Sequence, residues 1–208
     1  NAIFSSHFRY HGIGAREPWA FGEEAERIAK KLLAFRYRLI PYIAGAAEQA
    51  ARTGLPLMRA MPLAFPRDRA ARAFELQYLF GDALLVAPII RHGGTVEVHF
   101  PAGEAWHDLE TGERVEGGQA RLVRRALDDL PAWGREGHVL CLGRAVQHTG
   151  EIDLASPVEE VRVFGMPQHA PCVMGHVVAF GAGEKGAWLG GVRAGQCVLT
   201  AGLTARDS

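Results

Sequence analysis

Apolar residues recur at helical spacing through residues 25–50. They fall at Ala25, Ile28, Ala29, Leu32 and Leu33, and again at Leu39, Ile40, Ile43, Ala47 and Ala50. A stripe of this period predicts an amphipathic helix packed along one face. Glu23 and Glu24 follow Gly22, where the unpaired N–H groups of a first turn favour carboxylates. Pro41 sits inside the run and has no N–H, which predicts a kink or a break. Gly54 and Pro56 predict the stop, since glycine tolerates a left-handed cap and proline cannot continue the helix.

From Leu55 to about Gly143 the period changes to two. Val96, Val98 and Phe100 alternate with Thr95, Glu97 and His99, a strand with one dry and one wet face. Gly93-Gly94 before it and Pro101-Ala102-Gly103 after it predict turns. Residues 84–90 form a short apolar run, read as a strand buried on both faces with Pro88 at an edge or bulge. Residues 106–109, then Thr111-Gly112, predict another strand and turn. Many short strands punctuated by glycine predict an antiparallel sandwich. Residues 158–164, 172–180 and 196–200 repeat this texture, so a second small β domain is expected. The closing ARDS shows no clear final strand, which leaves truncation open. The expected division is 1–54, 55–147 and 148–208.

Composition narrows the function classes. The 208 residues are 48% hydrophobic and 22% charged, with 23 basic and 23 acidic side chains. A neutral chain without a basic face argues against nucleic acid as a partner. No segment approaches the ~20 apolar residues of a membrane span. Cys141, Cys172 and Cys197 are odd in number and far apart, with neither metal-like spacing nor a disulfide framework. Reduced thiols and a cytoplasmic location are therefore expected.

Residues 4–19 read FSSHFRYHGIGAREPW. Two histidines, two arginines and four aromatics crowd around Gly12 and Gly14. That mix suits a place where backbone bends and polar tips meet a ligand beside an apolar wall. The chain opens on Asn1, so the stretch reads as the rim of a site whose other half lies upstream. His7 and His11 are four apart, as in a helical metal pair, but Gly12 and Gly14 argue against helix and no acidic third ligand stands at useful spacing. No metal and no cofactor are expected. Glu23-Glu24 and Asp128-Asp129 are adjacent carboxylates. Glycosidic acid/base pairs face each other across ~5–9 Å, so these read as helix-terminal and turn charges. Trp106 and Trp133 read as sandwich core or edge rather than sugar platforms.

Several of these segments resemble glycoside hydrolase family 31, the retaining α-glycosidases. Ser5-Ser6-His7-Phe8-Arg9-Tyr10-His11-Gly12 is similar to the Arg-x-His end of the family's eighth barrel strand, in its α-xylosidase-like form. Arg16-Glu17-Pro18-Trp19-Ala20-Phe21 resembles the next loop, and Arg36-Tyr37-Arg38-Leu39-Ile40-Pro41-Tyr42-Ile43 the eighth barrel helix with its internal proline. GLPLMRAMPL at 54–63 continues the pattern. Gln77 to Asp82 and Leu84 to Pro88 resemble the entry into the proximal C-terminal β-sandwich. Phe100 to Gly103, Trp106 to Asp108, and Leu130-Pro131 through Gly137 follow in family order, with Gly134 replacing a larger strand residue. That glycine is expected to loosen its strand. The resemblance covers about residues 3–143.

The resemblance implies a fold: the last β/α unit of a (β/α)8 barrel, then one or two antiparallel β-sandwich domains. It also implies retaining hydrolysis of terminal α-xylosyl or α-glucosyl residues from oligosaccharides by two aspartates. Both would come from barrel strands ahead of residue 1, so the chain alone should be inactive and neither Asp82 nor Asp108 takes that role. His11 would hydrogen-bond the sugar, Arg9 would brace the strand end or a carboxylate, and Trp19 would close the pocket. The implied partners are the oligosaccharide substrate and the upstream barrel of the same protein. A reading from another class is a non-catalytic sandwich module for glycan binding, or for structural and homo-oligomer contacts. Xyloside against glucoside stays open.

Overall fold

The computed structural model describes residues 2–90, 92–174, 179–183, 186–190 and 197–199. Two helices lead, α1 (Glu23–Arg38) and α2 (Ile40–Thr53). The break falls at Leu39, whose N–H still donates to the carbonyls of Phe35 and Arg36 while Ile43 N–H donates back to Leu39. Pro41 lies in the first turn of α2, where its missing donor costs nothing. Glu23, Glu24 and Glu26 occupy the first turn of α1. Gly54 closes α2 at φ 76°, a conformation that suits glycine.

Among the described residues thirteen strands follow, with a short helix α3 (Met61–Ala64) between the first two. They are β1 (Met58–Ala60), β2 (Tyr78–Phe80), β3 (Leu84–Val86), β4 (Thr95–Phe100), β5 (Ala105–Asp108), β6 (Arg114–Glu116), β7 (Gln119–Arg124), β8 (Ala132–Arg135), β9 (Val139–Leu142), β10 (Glu160–Val163), β11 (Ala179–Gly183), β12 (Gly186–Gly190) and β13 (Cys197–Leu199). The central sheet runs β1-β2-β3-β8-β5-β6, antiparallel at every step. β4 and β7 form a second, two-stranded layer.

The central sheet is covered on both faces. On one side Leu79, Leu85 and Trp133 pack with Val98 and Phe100 of β4. Phe100 meets Trp133 edge-on at 5.4 Å between centroids. On the other side Tyr78, Phe80, Leu84, Val86 and Ala132 pack with Leu39, Tyr42 and Ala46 of the helices and with Leu140 and Leu142 of β9. Alternation of side chains along each strand produces this split. Leu84, Leu85 and Val86 are all buried, as the apolar run predicts. Trp106 and Trp133 are core residues, with 0% and 1% of their surface exposed.

The structure corrects three sequence expectations. The buried residues of α2 are Pro41, Tyr42, Gly45 and Ala46, next to the buried Leu39 that precedes it, whereas Ala47 is exposed. Tyr42 sets that orientation by donating its hydroxyl to Phe80 O at 2.6 Å and accepting from Ala83 N–H at 3.1 Å; small alanines carry no such preference. His99, expected on the wet face of β4, is buried. The segment over residues 65–77 folds back across it, placing Asp68 Oδ2 at 2.7 Å from Nε2 and stacking Phe74 on the ring at 5.1 Å. Gly134 does not loosen β8. A Cβ there would stand 2.3 Å from the Phe164 ring, so the aromatic fills the space that a larger residue would occupy.

β9 also pairs with β10, which lies parallel to β13. A ladder therefore crosses the 147/148 boundary. Val173 continues that contact by lying on Gly45 of α2, where a Cβ would sit 2.3 Å from its backbone nitrogen. Of the strand expected over 172–180, residues 172–174 form no strand, 175–178 lie outside the described residues and 179–180 begin β11; Gln196 and Thr200 also lie outside the described residues.

Candidate functional site

Among the described residues no strand is assigned before Met58, and residues 3–6 form a bend. A parallel barrel strand completes its ladder only against neighbouring strands. Here the backbone acceptors find side chains instead. Arg36 Nη1 donates to Ile3 O at 2.8 Å and to Ser5 O at 2.9 Å. The Tyr78 hydroxyl donates to Phe4 O, and Ser5 Oγ donates to His7 O at 3.0 Å. The Phe4 ring is buried against Phe35 of α1 and Phe80 of β2, at 6.2 and 5.9 Å between centroids. Burial lowers the pKa of Arg36 and pushes that of Tyr78 up to about 12, so the phenol remains a donor at neutral pH.

Above this base the motif faces outward. Arg9, Tyr10, His11 and Gly12 are all exposed. Neither Arg9 nor His11 has a hydrogen bond or ion pair among the described residues. Phe8 and Tyr10 pack edge-on at 5.1 Å on either side of the exposed Arg9. Gly14 adopts φ 81°, a backbone that side chains disfavour. Trp19 lies in a 3-10 turn (Pro18–Phe21) and is 66% exposed; Phe21 and Ile13 are also exposed. The structure thus brings Arg9 and His11 onto one projecting segment. It places no contact between them and Trp19.

The carboxylates elsewhere have structural work. Asp82 joins Arg59 and accepts from Gln49 Nε2 at 2.6 Å, tying α2 to the sheet. Asp108 pairs with Arg125 and accepts from the N–H groups of Glu110 and Thr111, closing the β5–β6 turn. Asp128 holds Arg27 and Lys31 of α1 at 3.2 and 3.3 Å. Arg36 and Tyr78 escaped sequence reasoning. Bonds from a distant side chain to backbone carbonyls leave no local pattern.

Residues 1–46 match the sequence profile described as the TIM-barrel domain of glycosyl hydrolases family 31, and residues 54–140 match the C-terminal domain of the same family, in that order. The chain belongs to glycoside hydrolase family 31. The family-31 region is thus the tail of a barrel domain followed by a β-sheet-rich C-terminal domain. Alpha-glucosidase 2 of Bacillus thermoamyloliquefaciens is 37% identical over 70% of this chain and 19% of its own length. An alpha-xylosidase of Saccharolobus solfataricus is 36% identical over 72% of this chain and 21% of its own. The solved family-31 dextranase of Flavobacterium johnsoniae, complexed with glucose, superposes with a TM-score of 0.68 at 33% identity, over 76% of this chain and 19% of that one. The chain therefore spans about one fifth of the length of these family-31 relatives.

Proposed function

We propose that this chain is the C-terminal part of a retaining α-glycosidase that removes terminal α-xylosyl or α-glucosyl residues from oligosaccharides. The carrying observation is the unpartnered Arg9–His11 tip, projecting from a base pinned through four backbone carbonyls and lying within the residues that match the family barrel. An exposed neutral imidazole donates from one nitrogen and accepts at the other, which suits paired sugar hydroxyls. Bonds to ring hydroxyls that tighten as positive charge develops at the anomeric carbon lower the barrier. Arg9 then meets a carboxylate or braces the strand end, since its planar fork favours two-point pairing. Exposed Trp19 and Phe21 complete the apolar wall.

The two reacting aspartates belong to the remainder of the barrel in this reading. Asp82 and Asp108 are already committed to Arg59 and Arg125. The 208-residue chain alone should then release no aglycone from aryl α-xylosides or α-glucosides. The free thiols of Cys141 and Cys172 support a reducing, cytoplasmic setting. In the full-length enzyme His11→Ala should lower kcat/KM by on the order of a hundredfold, ~2.7 kcal/mol. An unchanged value would remove His11 from the sugar site.

A further inference from the structure

We propose that Arg36 and Tyr78 are positioning residues of this glycosidase, acting together from the barrel helix and from the C-terminal sandwich to fix the base from which His11 projects. The proposal rests on the sugar-binding role of His11 given above.

Three consecutive carbonyls are held from two directions. Arg36 of α1 takes Ile3 and Ser5 with one nitrogen, and Tyr78 of β2 takes Phe4. Tyr78 is 8% exposed and Phe4 4%, so both the donor and the bend it holds are shielded from water. An acceptor left unmet at such a place costs free energy, and the bend would shift to recover a partner. Beyond Ser5 the constraint thins quickly. Ser5 Oγ reaches His7 O, and no hydrogen bond is made within residues 8–14 among the described residues. The segment that carries His11 leaves from this base, six residues behind it, so a shift of the base is passed along the chain towards His11. Displacement of a reacting or binding group by about 1 Å costs on the order of a hundredfold in rate. A small shift at Phe4 is thus felt as misplacement at His11, though neither Arg36 nor Tyr78 touches sugar. This gives the sandwich a part in the reaction beyond support: its second strand supplies one of the two clamps.

The test is a double-mutant cycle in the full-length enzyme with an aryl α-glycoside. Tyr78→Phe keeps the buried ring and removes only the donor. It should lower kcat/KM roughly tenfold, and any fall in Tm from the unmet Phe4 carbonyl should be the same with and without His11. In a His11→Ala background the same change should cost less than about twofold, since the group it positions is gone. Arg36→Met, which removes the donor shared by Ile3 O and Ser5 O, should follow the same pattern. A Tyr78→Phe effect of equal size in both backgrounds, or no effect in the first, overturns the proposal. Loss of activity in His11→Ala without any in Tyr78→Phe defeats the positioning role alone. Full activity in His11→Ala defeats the sugar-binding reading beneath it, and the positioning role falls with it.

Discussion

Acidification from pH 7.5 to 5 should destabilise the C-terminal domain by about 2 kcal/mol through His138 alone. His138 sits in the turn between β8 and β9 and is 6% exposed. Its Nδ1–H donates to Glu136 O at 3.1 Å, and its ring lies 4.3 Å from that of His169. Burial is the largest influence and pushes the pKa down to about 4, with the positive charge of Arg135 and the proximity of His169 acting in the same direction. In the unfolded chain the imidazole titrates near 6.5. The folded value is the lower one, so the unfolded chain binds more protons between pH 6.5 and 4. Stability is fully present above 6.5 and is lost as pH falls through that window. The gap is worth about 3 kcal/mol when fully developed, and about 2 kcal/mol of it has appeared at pH 5. Urea unfolding of the chain at pH 7.5, 6 and 5, beside His138→Gln, reports the effect of His138 together with its coupling to His169, because titrating groups that do not interact with His138 cancel in the comparison. The wild type should lose about 2 kcal/mol more than the variant across this range. Parallel losses, or an imidazole resonance of His138 titrating near pH 6.5, would refute the reasoning.

Three further outcomes follow from packing. Gly134→Ala should cost about 1–3 kcal/mol in urea unfolding, because the added carbon would stand 2.3 Å from the buried Phe164 ring; Phe164→Leu on top should recover part of it, and full stability of the single variant would contradict the contact. Arg125→Met should cost about 3–5 kcal/mol by stranding the buried Asp108 carboxylate and removing the cation from the face of Trp133, 5.3 Å away. A loss below about 1 kcal/mol would show that the pair is dispensable. Cys141 is wholly buried and its thiol is pushed up to about 12 by burial, so iodoacetamide at pH 8 should leave it unlabelled until urea unfolds the chain. Peptide mapping that finds prompt labelling of native protein would exclude this placement.

Local chemistry was legible wherever the cause lies within a few residues. Pro41 announced the break that falls at Leu39 and Gly54 the helix stop; the run at 84–90 announced a strand covered on both faces, though the strand itself stops at Val86. The residue types of the Arg9–His11 tip were equally legible, because exposed polar groups beside glycines are a local signature. What stayed hidden is set by elements far along the chain. The alternation around β4 correctly gives Val98 and Phe100 to the core, yet it cannot know that Asp68 and Phe74 return to bury His99. A single pattern of period two describes one strand and says nothing of its cover.

Gly134 and the 147/148 boundary carry the same lesson into the domain architecture. Taken alone, glycine in a strand signals weakness, and the repeated strand texture after residue 147 suggests a separate domain. In the fold, Phe164 fills the glycine's vacancy, Glu160–Val163 completes a ladder with β9, and Arg38 of α1 pairs with Glu160 across the same seam. Residues 158–164 therefore act as the closing layer over the sheet and the helix break together. Their removal would strip the outer edge of β9 of its partner at Leu140 and Leu142, two residues that are fully buried. Apolar surface returned to water costs about 25 cal/mol for each Å², so uncovering this face destabilises the sheet it belongs to. The sandwich is complete only with the strand that follows the expected boundary.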